Sequence, residues 1–446
     1  MATLVVLTSS ARAEQPAPPA VQPAAFTESP ADAEEQLLSA RAAAQFAETR
    51  GGDPKALAQV IQLTRGLRPA DAAAAFDELA AAHERARQLT LAADVRRTLA
   101  AMFPQEPLAA KSVRWLIELY ASSEIGYAHR QVDVAKQAIA QQLASTKAQA
   151  VPSASDQYAS TGGPVAAAYG LHLANQAARA NPALDDDLAL RFQRYVAARR
   201  AGDEKVANKF LAPLNRANAP EPWGTCARTE IWLETRPARP APKQTLAVVA
   251  AAEPPQLDGV LDEPLWQGEK VSGTFFGASP QQTEIRLAYD AEFLYIAIRA
   301  AKVPGVPYEP DALPRSHDAD LSPSDCVRLR IDLDRDYSSW FELVVDSQGR
   351  TADRCGNDAA WNPEWYVAPG EVRTGEDRFS GAADADDHWT IEAAIPFASL
   401  TDHPPSTGAA WACAIDRITP NAAPQPWCGP SADAATPDSF GLLLFQ

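Results

Sequence analysis

No run of about 18 consecutive apolar residues occurs in the sequence, so no segment can cross a bilayer as a helix. Cysteine is scarce, at 5 residues, and no Cys-x-x-Cys pair occurs, which excludes zinc-ribbon and thioredoxin-type sites. Basic charge is in deficit, with 40 Lys+Arg against 57 Asp+Glu, and this argues against nucleic acid as the main partner. The G-x-S-x-G, H-E-x-x-H, P-loop and G-x-G-x-x-G signatures are all missing.

The 446 residues that are present suffice for two or three domains with their own cores. The net charge of −17 is unevenly spread: 32 of the acids and 13 of the bases lie from Thr245 onward, a net of −19, leaving +2 upstream. A nearly neutral front is thus joined to an acidic back. The short apolar stretch Ala2 to Leu7 and the small-x-small sequence Ala11-Arg12-Ala13 read in two ways over residues 1–30: a truncated signal peptide with a linker, or a disordered tail. The first implies an exported bacterial protein. Cys355 and Cys428 could pair in an oxidising compartment; alternatively all five cysteines are free.

Residues 31–214 are Ala-rich, with apolar residues at helical spacing. Helices are expected over 33–48, 55–67, 70–88, 90–102, 109–122, 131–143, 165–180 and 185–198, punctuated by Asp53-Pro54, Arg68-Pro69 and Phe103-Pro104. Helix pairs recurring in the mid-thirties suggest a tetratricopeptide-like solenoid that makes protein contacts, with an unrelated helical bundle as the alternative. The Pro-rich stretch 215–255 is expected to be a linker.

From Gln256 the apolar period changes to 2. Val327, Leu329, Ile331 and Leu333 alternate with Arg328, Arg330, Asp332 and Asp334, which predicts one buried and one solvated face. Short strands around 285–298, 341–346, 389–397, 411–415 and 441–445 argue for an all-β antiparallel sandwich over 256–446. Trp266, Trp389 and Trp411 sit in strand patterns and are assigned to the core.

The decapeptide Leu257-Asp258-Gly259-Val260-Leu261-Asp262-Glu263-Pro264-Leu265-Trp266 resembles the opening of family 9 carbohydrate-binding modules. Tyr289-Asp290, Asp325, the run from Trp389 to Phe397, Arg417 and Phe440-Gly441 follow in the family's order. The resemblance implies a jelly-roll-like (DOMON-like) sandwich, binding to sugar and structural calcium. The family's clamp of two tryptophans is not reproduced: Leu321-Ser322-Pro323 and Ala434-Ala435-Thr436-Pro437 occupy those positions, and Arg328 stands where a sugar-contacting Glu is expected.

A displaced platform is offered by Trp361, Asn362, Glu364, Trp365, Tyr366 and Trp427, with Arg417 beside it. Flat aromatic faces suit the C–H face of a pyranose, and amide, carboxylate and guanidinium groups suit hydroxyls. The other reading has Trp361 and Trp365 plugging one end of the sandwich. Asp318, Asp320 and Asp325 form the candidate calcium loop. Asp332, Asp334 and Asp336 are expected on a solvated face, paired with Arg328 and Arg330. Haem is not expected, because this half has no Met and only His317, His388 and His403.

The sequence therefore predicts a non-catalytic protein that joins polysaccharide or oligosaccharide recognition to protein contacts. Such a protein would serve polysaccharide breakdown or cell-envelope organisation. A scaffold without a sugar ligand and a glycoside hydrolase-associated enzyme are the alternatives.

Overall fold

The computed structural model describes residues 30–131, 163–216, 218–267, 283–308, 318–370, 387–429 and 435–446. The expected N-terminal signal or tail and most of the helix expected over 131–143 lie outside the described residues.

The front of the chain is helical: α1 (Pro30–Glu48), α2 (Ala56–Leu63), α3 (Pro69–Arg85), α4 (Leu89–Met102), α5 (Pro107–Ala121) and α6, described over 123–131. After the gap come α7 (Pro164–Ala180), α8 (Leu188–Arg200), α9 (Glu204–Leu214) and α10 (Trp223–Thr235). Proline opens α3, α5 and α7, where its missing N–H and fixed φ carry no penalty. Asp187 and Asp203 cap α8 and α9, accepting from Leu190 N (3.1 Å) and Val206 N (3.0 Å). Among the described residues, α1, α3, α4, α5, α7 and α8 pack each against the next. Their interior is built largely of alanine with Phe76, Leu79, Val95 and Leu99, small side chains that let the helices approach closely.

The stretch 215–255 is not a plain linker. Its prolines flank a proline-free segment, Trp223 to Thr235, which forms α10 and buries Cys226, Thr229 and Glu230. Residues Thr245–Ala250 then form β1.

The remaining strands are β2 (Thr283–Tyr289), β3 (Phe293–Ala301), β4 (Cys326–Asp332), β5 (Phe341–Asp346) and β6 (Thr351–Cys355). They continue with β7 (Tyr366–Pro369), β8 (His388–Pro396), β9 (Ala410–Ile418), β10 (Gln425–Pro426) and β11 (Gly441–Phe445). They form one hydrogen-bonded path, β6-β5-β4-β9-β11-β1-β2-β3-β8-β7, with β10 on β9. The expected fully antiparallel arrangement is corrected at its centre: β1 runs parallel to both neighbours, with Thr245 opposite Leu442 and Val248 opposite Leu287. The other pairings among the described strands are antiparallel.

The sheet curls on itself. Arg417 of β9 donates to Ala301 O at the end of β3, although β11, β1 and β2 lie between them in the path. Trp411 of β9 meets Phe397, just after β8, edge to face at 5.9 Å. Leu287, Ile296 and Ile391 from one half and Leu329, Leu343 and Ile415 from the other fill the interior.

The helices cover one outer face of this sheet. Phe192 and Tyr195 of α8 share a buried cluster with Ala412 and Ala414 of β9, Tyr337 and Phe440. The solvated face expected for β4 is therefore absent: all seven of its residues are buried. Alternation along a strand reports two faces, but not what a distant part of the chain lays on the second one.

Candidate functional site

Along residues 361–366, leading into β7, burial alternates between core and solvent. Trp361, Pro363 and Trp365 point inward, whereas Asn362, Glu364 and Tyr366 are exposed. Trp361 stacks on Phe341 at 4.5 Å with the rings 21° apart, so its face is taken by the core. Trp427 is 1% exposed and also lies within the core. The displaced platform thus loses its three tryptophans: the segment joining β6 to β7 turns Trp361 and Trp365 toward the interior of the curl, and Trp427, just after β10, is buried there too. What stays outside is Tyr366, 52% exposed, at the start of the terminal strand of the path. Its ring lies 6.3 Å from that of Phe293, which stacks on Tyr295 at 6.0 Å.

Arg417 is also removed from any surface, since it is fully buried against Asp325. Its Nε donates to Asp325 Oδ1 (2.9 Å) and its second amino group to Oδ2 (2.5 Å). Tyr308 Oη (2.7 Å) and Trp389 Nε1 (2.9 Å) donate to the same Oδ2. Every oxygen of this carboxylate is matched by donors within the protein. Asp325 is committed to Arg417, while Asp318 and Asp320 are exposed, with Asp320 accepting from Ser322 N.

A second knot ties the opening decapeptide to β8. Glu392 accepts from Asp258 N (3.1 Å), Gly259 N (2.9 Å) and Trp266 Nε1 (2.8 Å). Burial raises its pKa, and these three donors oppose the rise. Gly259 is required here: its φ is +78°, and a Cβ would stand 2.3 Å from Gly370 N. Gly259 and Trp266 of the decapeptide are therefore interior ties of the fold, whereas Asp258, Val260, Asp262 and Pro264 are exposed.

The third arrangement is the one the sequence placed in solvent. Asp332, Asp334 and Asp336 are buried, and their expected partners are engaged elsewhere. Arg328 pairs with Asp416 (2.9 Å), and Arg330 with Glu342 (2.7 Å). Left-handed backbone at Arg335 (φ 58°) and Tyr337 (φ 55°) folds this loop back toward the helices. Glu124 of α6 meets it there, accepting from Leu333 N (2.5 Å) with Oε1 and facing Ser339 Oγ (3.1 Å) with Oε2. Oxygens of Glu124, Asp332 and Asp334 lie within 4.8 Å of one another. Arg200 of α8 pairs with Asp334 Oδ2 (2.6 Å). Burial raises the carboxyl pKa of Glu124 and Asp332 well above the usual range, and neighbouring acids add to the rise.

Beside this group, Glu230 of α10 is ion-paired with both Arg199 and Arg335. Glu124 and Glu230 carried no local signal, because their partners in the loop after β4, Leu333, Ser339 and Arg335, lie more than a hundred residues along the chain. The Asp-x-Asp-x-Asp spacing was visible, but its burial was not.

The five cysteines are free and buried, so the Cys355–Cys428 pairing does not form. Burial pushes the thiols of Cys226, Cys326 and Cys428 up to about 12, which leaves them poor nucleophiles.

No protein-family model and no curated protein matches the chain. Among solved structures, it is similar to a family 9 carbohydrate-binding module from Caldicellulosiruptor kristjanssonii in complex with cellotriose. The identity is 13% over 46% of this chain and 94% of that one, with a TM-score of 0.33. The glucose complex of a family 9 module from the same organism gives 15% identity, 46% and 96% coverage, and a TM-score of 0.33. A protein with a proposed carbohydrate-binding role from Bacteroides uniformis gives 12%, 46% and 100%, with a TM-score of 0.30.

Proposed function

We propose that the protein is an exported, non-catalytic carbohydrate-binding protein whose acidic β half recognises neutral glycan and whose helical half, a tetratricopeptide-like array, makes protein contacts. The observation that carries this reading is the outward set Asn362, Glu364 and Tyr366, an amide, a carboxylate and a phenol ring exposed along the run leading into β7. The ring offers a stacking face for a pyranose, and an amide and a carboxylate are groups that hydrogen-bond sugar hydroxyls. The ordered family 9-like residues from Leu257 to Phe440 support the same reading from the sequence side. One aromatic and two polar groups make a shallow contact, with a Kd on the order of 1 mM.

Calorimetric titration of the full chain with neutral gluco- and xylo-oligosaccharides tests it. Saturable heat that is lost in Tyr366→Ala is the expected result, and no heat with any neutral sugar overturns the reading. A second reading, a scaffold without a sugar ligand, is favoured by the burial of Trp361, Trp365 and Trp427. It expects no sugar binding at all, so the same titration separates the two.

A further inference from the structure

We propose that Glu124, Asp332, Asp334 and Asp336 form a calcium site that fastens the helical half to the β half. It is independent of the glycan reading, and Glu124 lies outside the region that resembles family 9 modules. Three observations meet at this place.

The first is donor chemistry. Oxygens of Glu124, Asp332 and Asp334 fall within 4.8 Å of one another, and all three residues are buried. Oxygens on opposite sides of one calcium ion stand about 4.6–5.2 Å apart, since each lies about 2.3–2.6 Å from the ion. The group contains neither imidazole nor thiolate, which favours a hard cation over zinc or copper.

The second is a shortage of donors. Ser339 Oγ lies 2.8 Å from Ser122 Oγ and 3.1 Å from both Glu124 Oε2 and Asp336 Oδ2. Ser122 Oγ is itself 3.0 Å from Glu124 Oε2. Two hydroxyl protons serve this linked set of four oxygens, two of which belong to carboxylates, whereas backbone N–H groups serve both oxygens of Asp332 and the other oxygen of Asp336. A bound cation would match the carboxylate oxygens that those two protons leave over.

The third is an orphaned oxygen. Asp334 Oδ1 is buried and has no hydrogen-bond partner, although the side chain is only 5% exposed and its Oδ2 is satisfied by Ser123 N and Arg200. Leaving such an atom unmatched costs about 1–3 kcal/mol, more when it is charged. Calcium prefers six to eight oxygens in flexible geometry, and four carboxylates with two hydroxyls meet that number where a strict octahedron for magnesium is harder to form.

The test uses the full chain freed of metal with a chelator and titrated with calcium chloride in a calorimeter, with thermal unfolding followed in parallel. One saturable site and an upward shift of the unfolding midpoint by several degrees are expected. Magnesium should bind at least tenfold more weakly. Asp334→Asn and, as a second variant with the shape of the side chain preserved, Glu124→Gln should each weaken calcium binding tenfold or more. Asp320→Asn, in the exposed loop, should leave it unchanged. Absence of calcium binding and of any midpoint shift overturns the proposal, as does calcium binding undiminished in both cluster variants. Magnesium binding tighter than calcium overturns the assignment of the ion.

Discussion

Two of the buried carboxylate sites among the described residues are completed in opposite ways. Asp325 meets a bidentate guanidinium from Arg417 together with Tyr308, Trp389 and Thr419, so its charge and its lone pairs are both answered. Glu124, Asp332, Asp334 and Asp336 crowd one another at the helix–sheet junction, with Arg200 as the ion-pair partner of Asp334. The residue type and depth are the same, yet one group is an internal tie and the other an acid surplus. A carboxylate's role follows from its count of donors and counter-charges, and sequence spacing does not report that count.

The largest effect should come from breaking the completed group. Asp325→Asn leaves Arg417 charged and unpaired in the core, and a loss of about 3–5 kcal/mol is expected in urea unfolding. A loss below about 1 kcal/mol would mean that the pair is not what holds the two halves of the curl together.

A smaller effect, of opposite sign, is expected at Asp353. Burial, reinforced by the charge of Asp318 and opposed only by Trp365, pushes its carboxyl up to about 7. A folded pKa above the unfolded value of about 4 means that the neutral acid is favoured in the fold. Its stabilising contribution is therefore fully present below about pH 4 and is lost as pH rises through about 7. Asp353→Asn should match the native chain at pH 4 and exceed it by about 1–3 kcal/mol at pH 8. Equal stability of the two chains at both pH values would contradict this. Least of all should Tyr366→Ala affect stability, within about 0.5 kcal/mol, because its ring is half exposed; its effect belongs in the sugar titration.

Much of the architecture could be read from local pattern. The helices of the front and the strands of the back announce themselves by period and by proline. What could not be read was decided by distant cover. The outward face of β4 looks solvated until the helices are laid over it, and Arg328 and Arg330 then find Asp416 and Glu342 rather than the aspartates beyond them. α10 hid inside a Pro-rich stretch, although its own residues from Trp223 to Thr235 contain no proline. Within the candidate glycan face, the rings of Trp361 and Trp365 belong to the core. Their odd-numbered spacing, opposite Asn362, Glu364 and Tyr366, already assigned the two sets to different sides.

The contrast between the two carboxylate groups is tested most directly by urea unfolding of Asp325→Asn and Glu124→Gln side by side, at pH 7.5 in chelator. Removing a charge from the completed group should cost about 3–5 kcal/mol, whereas removing one from the surplus should leave stability within about 1 kcal/mol of the native chain or raise it. Equal losses in the two variants would contradict the account.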